Sequence, residues 1–324
     1  MMNDSPVLVL TAPGDKDIPF MAELRQIARI VVGDSPSDFV RAGVEAEIIL
    51  NWSGSLVLLQ EVFLKSSRVR WVHSRSAGLE QVLFPELIES EVILTNGSGV
   101  FSPSLGEFVL AAILYFAKDF HRMIRNQMRG RWEPFDVSMV SGKTLGIVGY
   151  GSIGHAVAAR TRALEMNVLG LRRSVRQQSE KDSLLDQVYE SEQLLEMLSR
   201  CDYVVVTLPL TAQTRGLIGE AEFAVMKKNA VLINVGRGPT IDEPAMIKAL
   251  SDNRIRAAAL DVFDQEPLPQ GHPFYSLENV LLSPHCADHT PDWLNDAMRF
   301  FLAQVERFRN GETLSNIVDK TLGY

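Results

Sequence analysis

Leu145-Gly146-Ile147-Val148-Gly149-Tyr150-Gly151-Ser152-Ile153-Gly154 is the stretch that decides the fold. An apolar run, Leu145 to Val148, leads into Gly-x-Gly-x-x-Gly, and helix-forming residues follow from Gly154 to Glu165. A strand before the glycines and a helix after them is the context in which this pattern means phosphate binding. Gly149 permits the tight turn, Gly151 lets the backbone approach a pyrophosphate, and Gly154 lets the helix pack close to the sheet. The helix start, with Ser152 and Ile153, presents amides to the anion. A dinucleotide is the expected ligand.

The next strand, Val168 to Leu171, ends in Arg172-Arg173-Ser174, and no acid lies between Glu165 and Glu180. An acid there would accept bonds from a ribose 2′-hydroxyl and repel a 2′-phosphate. Guanidinium does the reverse, because its planar fork suits phosphate oxygens. NADP(H) is therefore the preferred cofactor, through Arg172, Arg173 or both, with NAD(H) possible. Arg176 is a weaker candidate.

Outward from this unit the chain alternates between β-rich apolar runs and helical spacing. Strands are expected at Val7–Leu10, Glu47–Leu50, Val69–His73 and Val92–Thr95, with helices at Ile18–Ile30 and Leu79–Glu89. Ser104 opens one long helix reaching about Gln127. Further strands fall at Tyr203–Thr207, Ala230–Asn234, Ala257–Asp261 and Val280–Leu282, and a helix at Glu243–Leu250. Such alternation makes parallel sheets with crossover helices. The expected fold is α/β: two Rossmann-like or flavodoxin-like doubly wound lobes with a cleft between them. Residues 1–99, completed by 288–324, form a substrate-binding domain, and residues 100–287 a dinucleotide-binding domain. The chain crosses between them near Asn96–Ser104 and Pro284–Asp292, which are natural hinges.

Composition narrows the function classes. With 324 residues, and ~150 per domain, two domains are expected. The formal charge of −8 argues against a protein built to bind nucleic acid or anionic membrane. The ten-residue apolar run from Phe108 to Ala117 is about half a membrane span. Two cysteines and no leader-like N-terminus suit a reducing, cytoplasmic setting.

From the glycine loop onward the chain resembles the D-isomer-specific 2-hydroxyacid dehydrogenases, with the pattern of NADPH-dependent glyoxylate/hydroxypyruvate reductases. Leu208-Pro209-Leu210-Thr211, with Thr214, looks like the family's stretch after the fourth strand. Ile233-Asn234-Val235-Gly236-Arg237-Gly238 looks like its arginine motif. Leu260-Asp261-Val262-Phe263 with Glu266-Pro267-Leu268 looks like its glutamate motif, and Ser283-Pro284-His285 with Thr290 like its histidine motif. The resemblance implies that Leu208, Pro209 and Thr214 belong to the cofactor site. It also implies that Val235 lines the nicotinamide pocket and that Asp261 bonds the nicotinamide amide. Ala77 and Gly78 would offer amides to the substrate carboxylate from the other lobe. A homodimer, built through the cofactor lobes and the helix after Ser104, is implied too.

The three motif residues make chemical sense on their own. Reduction of a 2-oxo acid needs a cation for the carboxylate and ketone, an acid for the developing alkoxide, and a group that holds that acid protonated. Arg237 is permanently charged and binds bidentately. His285 is the residue type that titrates near neutrality. Glu266 favours its imidazolium and orients the ring. The expected reaction is NAD(P)H-dependent reduction of a small 2-oxo acid to the D-2-hydroxy acid. Alternatives are a phosphoglycerate-type, formate-type or other 2-hydroxyacid dehydrogenase, or a dinucleotide-sensing binding protein like the corepressors that share the fold.

Some residues stay open. Arg75, two residues before Ala77, is expected at the surface. Trp52 and Trp132 are candidates for the substrate side-chain pocket, or simply core. Cys286-Ala287-Asp288-His289 replaces the small residues usual in the family, and Asp288 is placed to meet His285 or a neighbouring subunit. His285 and His289 stand four apart, but Pro284 makes their segment a loop, so no metal site is expected.

Overall fold

The computed structural model describes residues 5–15, 17–173 and 182–324. Arg176 lies outside the described residues. The chain divides into two compact units, Met1–Phe101 with Thr290–Tyr324, and Ser102–His289.

The first unit holds five parallel strands: β1 (Val7–Leu10), β2 (Ile30–Gly33), β3 (Ile48–Asn51), β4 (Trp71–Ser74) and β5 (Ile93–Asn96). Their order is β2-β1-β3-β4-β5, the flavodoxin-like arrangement. β1, β3 and β4 are buried throughout, as strands covered on both faces must be. The C-terminal segment belongs to this unit for a packing reason. Trp71 stacks on Phe301 and Phe308 of the helix Trp293–Arg309, with centroids 5.4 Å away in both cases. Beyond that helix, Val318 N–H donates to Leu94 O (2.9 Å), which ties the tail to β5.

The second unit holds seven parallel strands: β6 (Thr144–Val148), β7 (Asn167–Leu171), β8 (Gln187–Tyr189), β9 (Tyr203–Val206), β10 (Val231–Asn234), β11 (Ala257–Leu260) and β12 (Val280–Leu282). The order β12-β11-β10-β9-β6-β7-β8 reverses between β6 and β9. Ligands of doubly wound sheets bind outside the carboxyl ends of the strands at such a reversal. The glycine loop leaves β6 and Leu208 follows β9, so both lie there.

Four elements differ from the expectation. The first helix spans only Met21–Ile27, because the β-branched run from Ile30 forms edge strand β2. The helix expected over Leu79–Glu89 is Pro85–Glu89 alone, since a proline disfavours helical backbone at the residue before it. The single long helix from Ser104 is two, Ser102–Ala117 and Phe120–Met128. Asp119 separates them with φ 52° and caps the second through Arg122 N–H (3.4 Å). The C-terminal helix begins at Trp293, not near Asp288.

Candidate active site

The turn after β6 takes the form its glycines demand. Gly149 has φ 97°, where a side chain is strained, and a Cβ there would also meet Leu208 at 2.8 Å. A Cβ on Gly154 would press on Ile147 at 3.0 Å, so its absence lets the helix Ser152–Arg162 sit close to β6. At Gly151 a Cβ would project away from all protein atoms, leaving the backbone open to approach. Gly151 is the N-cap, and no side chain caps the helix. These features fit the pyrophosphate of a dinucleotide.

The strand ends around the loop brace it. Thr207 Oγ1 donates to Gly149 O (2.5 Å). Thr214 Oγ1 donates to Pro209 O (2.7 Å) and accepts from Thr211 N–H (2.8 Å), so this hydroxyl folds the 209–214 loop. Val235 is buried at 4% exposure, and the backbone at Gly236 packs against Leu208 so closely that a Cβ would meet its carbonyl oxygen at 2.8 Å.

At the end of β7 the two arginines part company. Arg173 is exposed. Arg172 is half-buried: its guanidinium lies 4.6 Å over the Tyr150 ring and pairs with Asp182 at 3.3 Å. Asp182 lies ten residues beyond Arg172 in sequence, and only the fold returns it to the strand end.

Arg237 leaves β10 on a tightly held turn. Its carbonyl accepts from Asn234 Nδ2 (3.1 Å) and Thr240 Oγ1 (2.6 Å). Its Nη1 donates to Gly236 O (2.7 Å). The next residue explains its position: a Cβ on Gly238 would stand 2.0 Å from the Phe263 carbonyl carbon. Only glycine allows that approach, and it brings the arginine turn against the loop that carries Glu266.

Glu266 Oε1 accepts from Phe263 N–H (2.9 Å), and Oε2 lies 2.6 Å from His285 Nδ1. A carboxylate only accepts, so Nδ1 carries the hydrogen in this pair and Nε2 is left as the other ring nitrogen. Both side chains remain accessible, His285 at 44% and Glu266 at 35%. A cavity of about 670 Å³, lined by both residues with Phe263, Leu268, Tyr275 and Leu282, adjoins the pair.

His285 holds a left-handed φ of 52°, a strained conformation for a residue with a side chain. Asp261 keeps it there. This buried carboxylate accepts through Oδ1 from Ser283 Oγ (2.6 Å), Cys286 N–H (3.0 Å) and Ala287 N–H (3.2 Å). The sequence reading gave Asp261 only a cofactor role and gave none to Ser283, Asn234 or Thr240. The positions of Ser283 and Asn234 inside the motifs, and of Thr240 just after one, were the signal available.

Other candidates fall apart from this group. Asp288 lies 3.7 Å from His289. Arg75 is half-buried rather than a surface residue, its guanidinium 4.9 Å over the Trp52 ring. Trp52 is buried at 1% exposure, and Trp132 is 98% exposed. Cys201 is buried, and desolvation pushes its thiol up to about 12, so it is chemically quiet. Among the described residues, no three His, Cys, Asp or Glu side chains gather to hold a metal ion. No described helix is long and apolar enough to cross a membrane.

A parallel sheet whose carboxyl edge carries both a dinucleotide turn and a histidine–carboxylate pair is the plan of a nicotinamide-dependent oxidoreductase. Residues 110–287 match the family model "D-isomer specific 2-hydroxyacid dehydrogenase, NAD binding domain". The D-3-phosphoglycerate dehydrogenase of Methanocaldococcus jannaschii is 29% identical over 315 residues, 96% of this chain but 59% of that protein's length. The glyoxylate/hydroxypyruvate reductase B of an Enterobacter species is 37% identical over 262 residues, 79% of each chain. Among solved structures, a D-isomer specific 2-hydroxyacid dehydrogenase from Xanthobacter autotrophicus Py2, in complex with NADPH and MES, superposes with a TM-score of 0.85. It is 28% identical and covers 99% of this chain and 100% of its own. The chain belongs to the D-isomer specific 2-hydroxyacid dehydrogenase family.

Proposed function

We propose that the protein is an NADPH-preferring reductase of small 2-oxo acids such as glyoxylate and hydroxypyruvate, yielding the D-2-hydroxy acid. The observation that carries this reading is the His285–Glu266 pair at 2.6 Å, on a loop that the Gly238–Phe263 approach sets against the Arg237 turn. NADPH, when bound, supplies the hydride. Arg237 binds the substrate carboxylate and polarises the ketone. Nε2 of His285 gives its proton to the oxygen as negative charge develops there. Glu266 holds Nδ1–H and so fixes which nitrogen faces the substrate. Ala77 and Gly78 offer amides to the carboxylate.

For the cofactor, Gly149, Gly151, Ser152, Ile153 and Gly154 cradle the pyrophosphate. Leu208, Pro209 and Val235 line the nicotinamide side, and Oδ2 of Asp261 takes its amide. Thr214 keeps the 209–214 loop in shape. The relative bound to NADPH supports the NADP(H) preference, with Arg172 and Arg173 as the 2′-phosphate residues of this reading. Arg172 must share its guanidinium between Asp182 and the phosphate.

The test is NADPH and NADH consumption with glyoxylate, hydroxypyruvate, pyruvate and branched 2-oxo acids. Turnover of the small acids with NADPH is expected; protein that binds NADPH yet turns over none of them ends the enzyme reading. Arg172→Asp should lower the NADPH-to-NADH ratio, and Asp182→Asn should raise it, by roughly threefold for an ion pair of this exposure.

Self-association as a homodimer belongs to the same proposal. The helix Phe120–Met128 and the segment after it expose Ile124, Met128, Trp132, Val137 and Met139, apolar side chains that a second copy could cover. Sedimentation should give a dimer that Trp132→Arg weakens. The cytoplasm is the proposed location, in keeping with two unpaired cysteines.

A further inference from the structure

The carboxyl edge of the five-stranded sheet holds a cation that hydride transfer does not use. Arg75 follows β4 and Trp52 follows β3, and the register that pairs Asn51 with Ser74 sets them side by side. The Arg75 guanidinium carbon lies 4.9 Å over the Trp52 ring and 5.3 Å over the ring of Trp293. Stacking on aromatic faces fixes the plane of the fork and leaves its N–H donors directed within that plane. Among the described residues, none of these donors reaches a protein acceptor, and no carboxylate pairs with them; Asp15 acts only at longer range. A half-buried cation thus lies against two indole rings with no close counter-anion among the described residues.

Its backbone is equally fixed. Arg75 O lies where a Cβ on Gly97 would be, 2.3 Å away, and Asn96 Nδ2 donates to Ala77 O (2.7 Å). Arg75 and Ala77 are two residues apart, at most about 7 Å along the chain. Both residues thus leave the same carboxyl end of β4.

We propose that Arg75 reads a second anionic group, carboxylate or phosphate, at the far end of a 2-oxo acid whose first carboxylate meets the amides of Ala77 and Gly78. This rests on the function proposed above and extends its substrate class to dianionic 2-oxo acids. The reaction is unchanged: hydride and proton still add across the ketone. The stacked fork is built for the planar, bidentate acceptor that such a group provides.

The test compares glyoxylate and pyruvate with oxaloacetate, 2-oxoglutarate and 3-phosphohydroxypyruvate, in wild type, Arg75→Met and Arg75→Lys. Wild type is expected to favour at least one dianion over the monoanions in kcat/KM. The dicarboxylate and phosphate arms show which group is preferred. Arg75→Met should cut the dianion-to-monoanion ratio by roughly 10- to 100-fold, the worth of a charged hydrogen-bonded contact, with Arg75→Lys between. Equal losses for both substrate classes, or a wild type that prefers monoanions, would overturn the proposal and leave Arg75 as a staple between two indoles. Tryptophan emission titrated with malonate, succinate and acetate gives a readout without turnover. Dianion binding lost in Arg75→Met, with the melting temperature held, supports the proposal; retained binding refutes it. If no 2-oxo acid is reduced, the proposed function falls, while the titration still decides Arg75.

Discussion

His73 in the five-stranded sheet and His285 beyond the seven-stranded one each engage a neighbour through Nδ1, at 2.7 and 2.6 Å. The partners differ, and so does everything that follows. His73 faces the Thr95 hydroxyl, which also accepts from Trp71 Nε1 (2.8 Å), and Phe300 and Phe301 lie against its ring. It is buried at 1% exposure, and burial drives its imidazole down to about 3. It stays neutral at any physiological pH and serves packing. His285 sits on a loop, faces a carboxylate and keeps 44% of its side chain accessible. Residue type alone does not set an imidazole's surroundings; its hydrogen-bond partner and its accessibility do.

The largest test removes His285, the proposed acid. His285→Gln should lower turnover by about 10²- to 10⁴-fold, the usual worth of a positioned general acid, with the melting temperature nearly unchanged. Near-normal turnover would remove His285 from the mechanism. A second substitution makes the two histidines alike. Glu266→Gln gives His285 a neutral partner, as Thr95 is to His73, and should cost roughly 10- to 100-fold, mainly in kcat. A loss confined to KM would mean that Glu266 acts on substrate binding instead.

The smallest effect lies with His73 and is read in stability. Its folded-state pKa lies below the unfolded value, so the unfolded chain binds more protons between the two. The stabilisation is therefore complete above about pH 6.5 and is lost as pH falls toward 3. At pH 4.5 the loss through this residue is about 2 to 3 kcal/mol. Urea unfolding at pH 7 and 4.5 should show that difference shrink in His73→Leu, while turnover near neutrality stays within about twofold of wild type. An unchanged acid sensitivity would assign it to other groups.

Most of the second unit was legible because its signals are local. The glycine loop needs only a strand before it and a helix after it, and Gly149 and Gly154 meet their neighbours as that pattern requires. Element edges were less legible. β2 and β8 are short edge strands, and a run such as Ile30 to Gly33 carries too little periodicity to separate from the helix before it. The break at Asp119 hides in a sequence that reads as continuous helix, because a left-handed residue that also caps the next turn leaves the apolar spacing nearly intact.

Contacts over long separations were not legible at all. Nothing in the order of residues places Asp182 on Arg172 or Trp293 beside Arg75, and nothing shows that Asp261 braces the loop of His285. The sequence by itself determined the chemistry available: a dinucleotide turn, a fixed cation, a carboxylate and an imidazole, each placed just after a strand by patterns a few residues long. Only the tertiary structure decided which charges are already engaged and which side chains are sealed. Those outcomes depend on strand order and close approach, such as the Gly238–Phe263 contact, between residues that spacing along the chain does not relate.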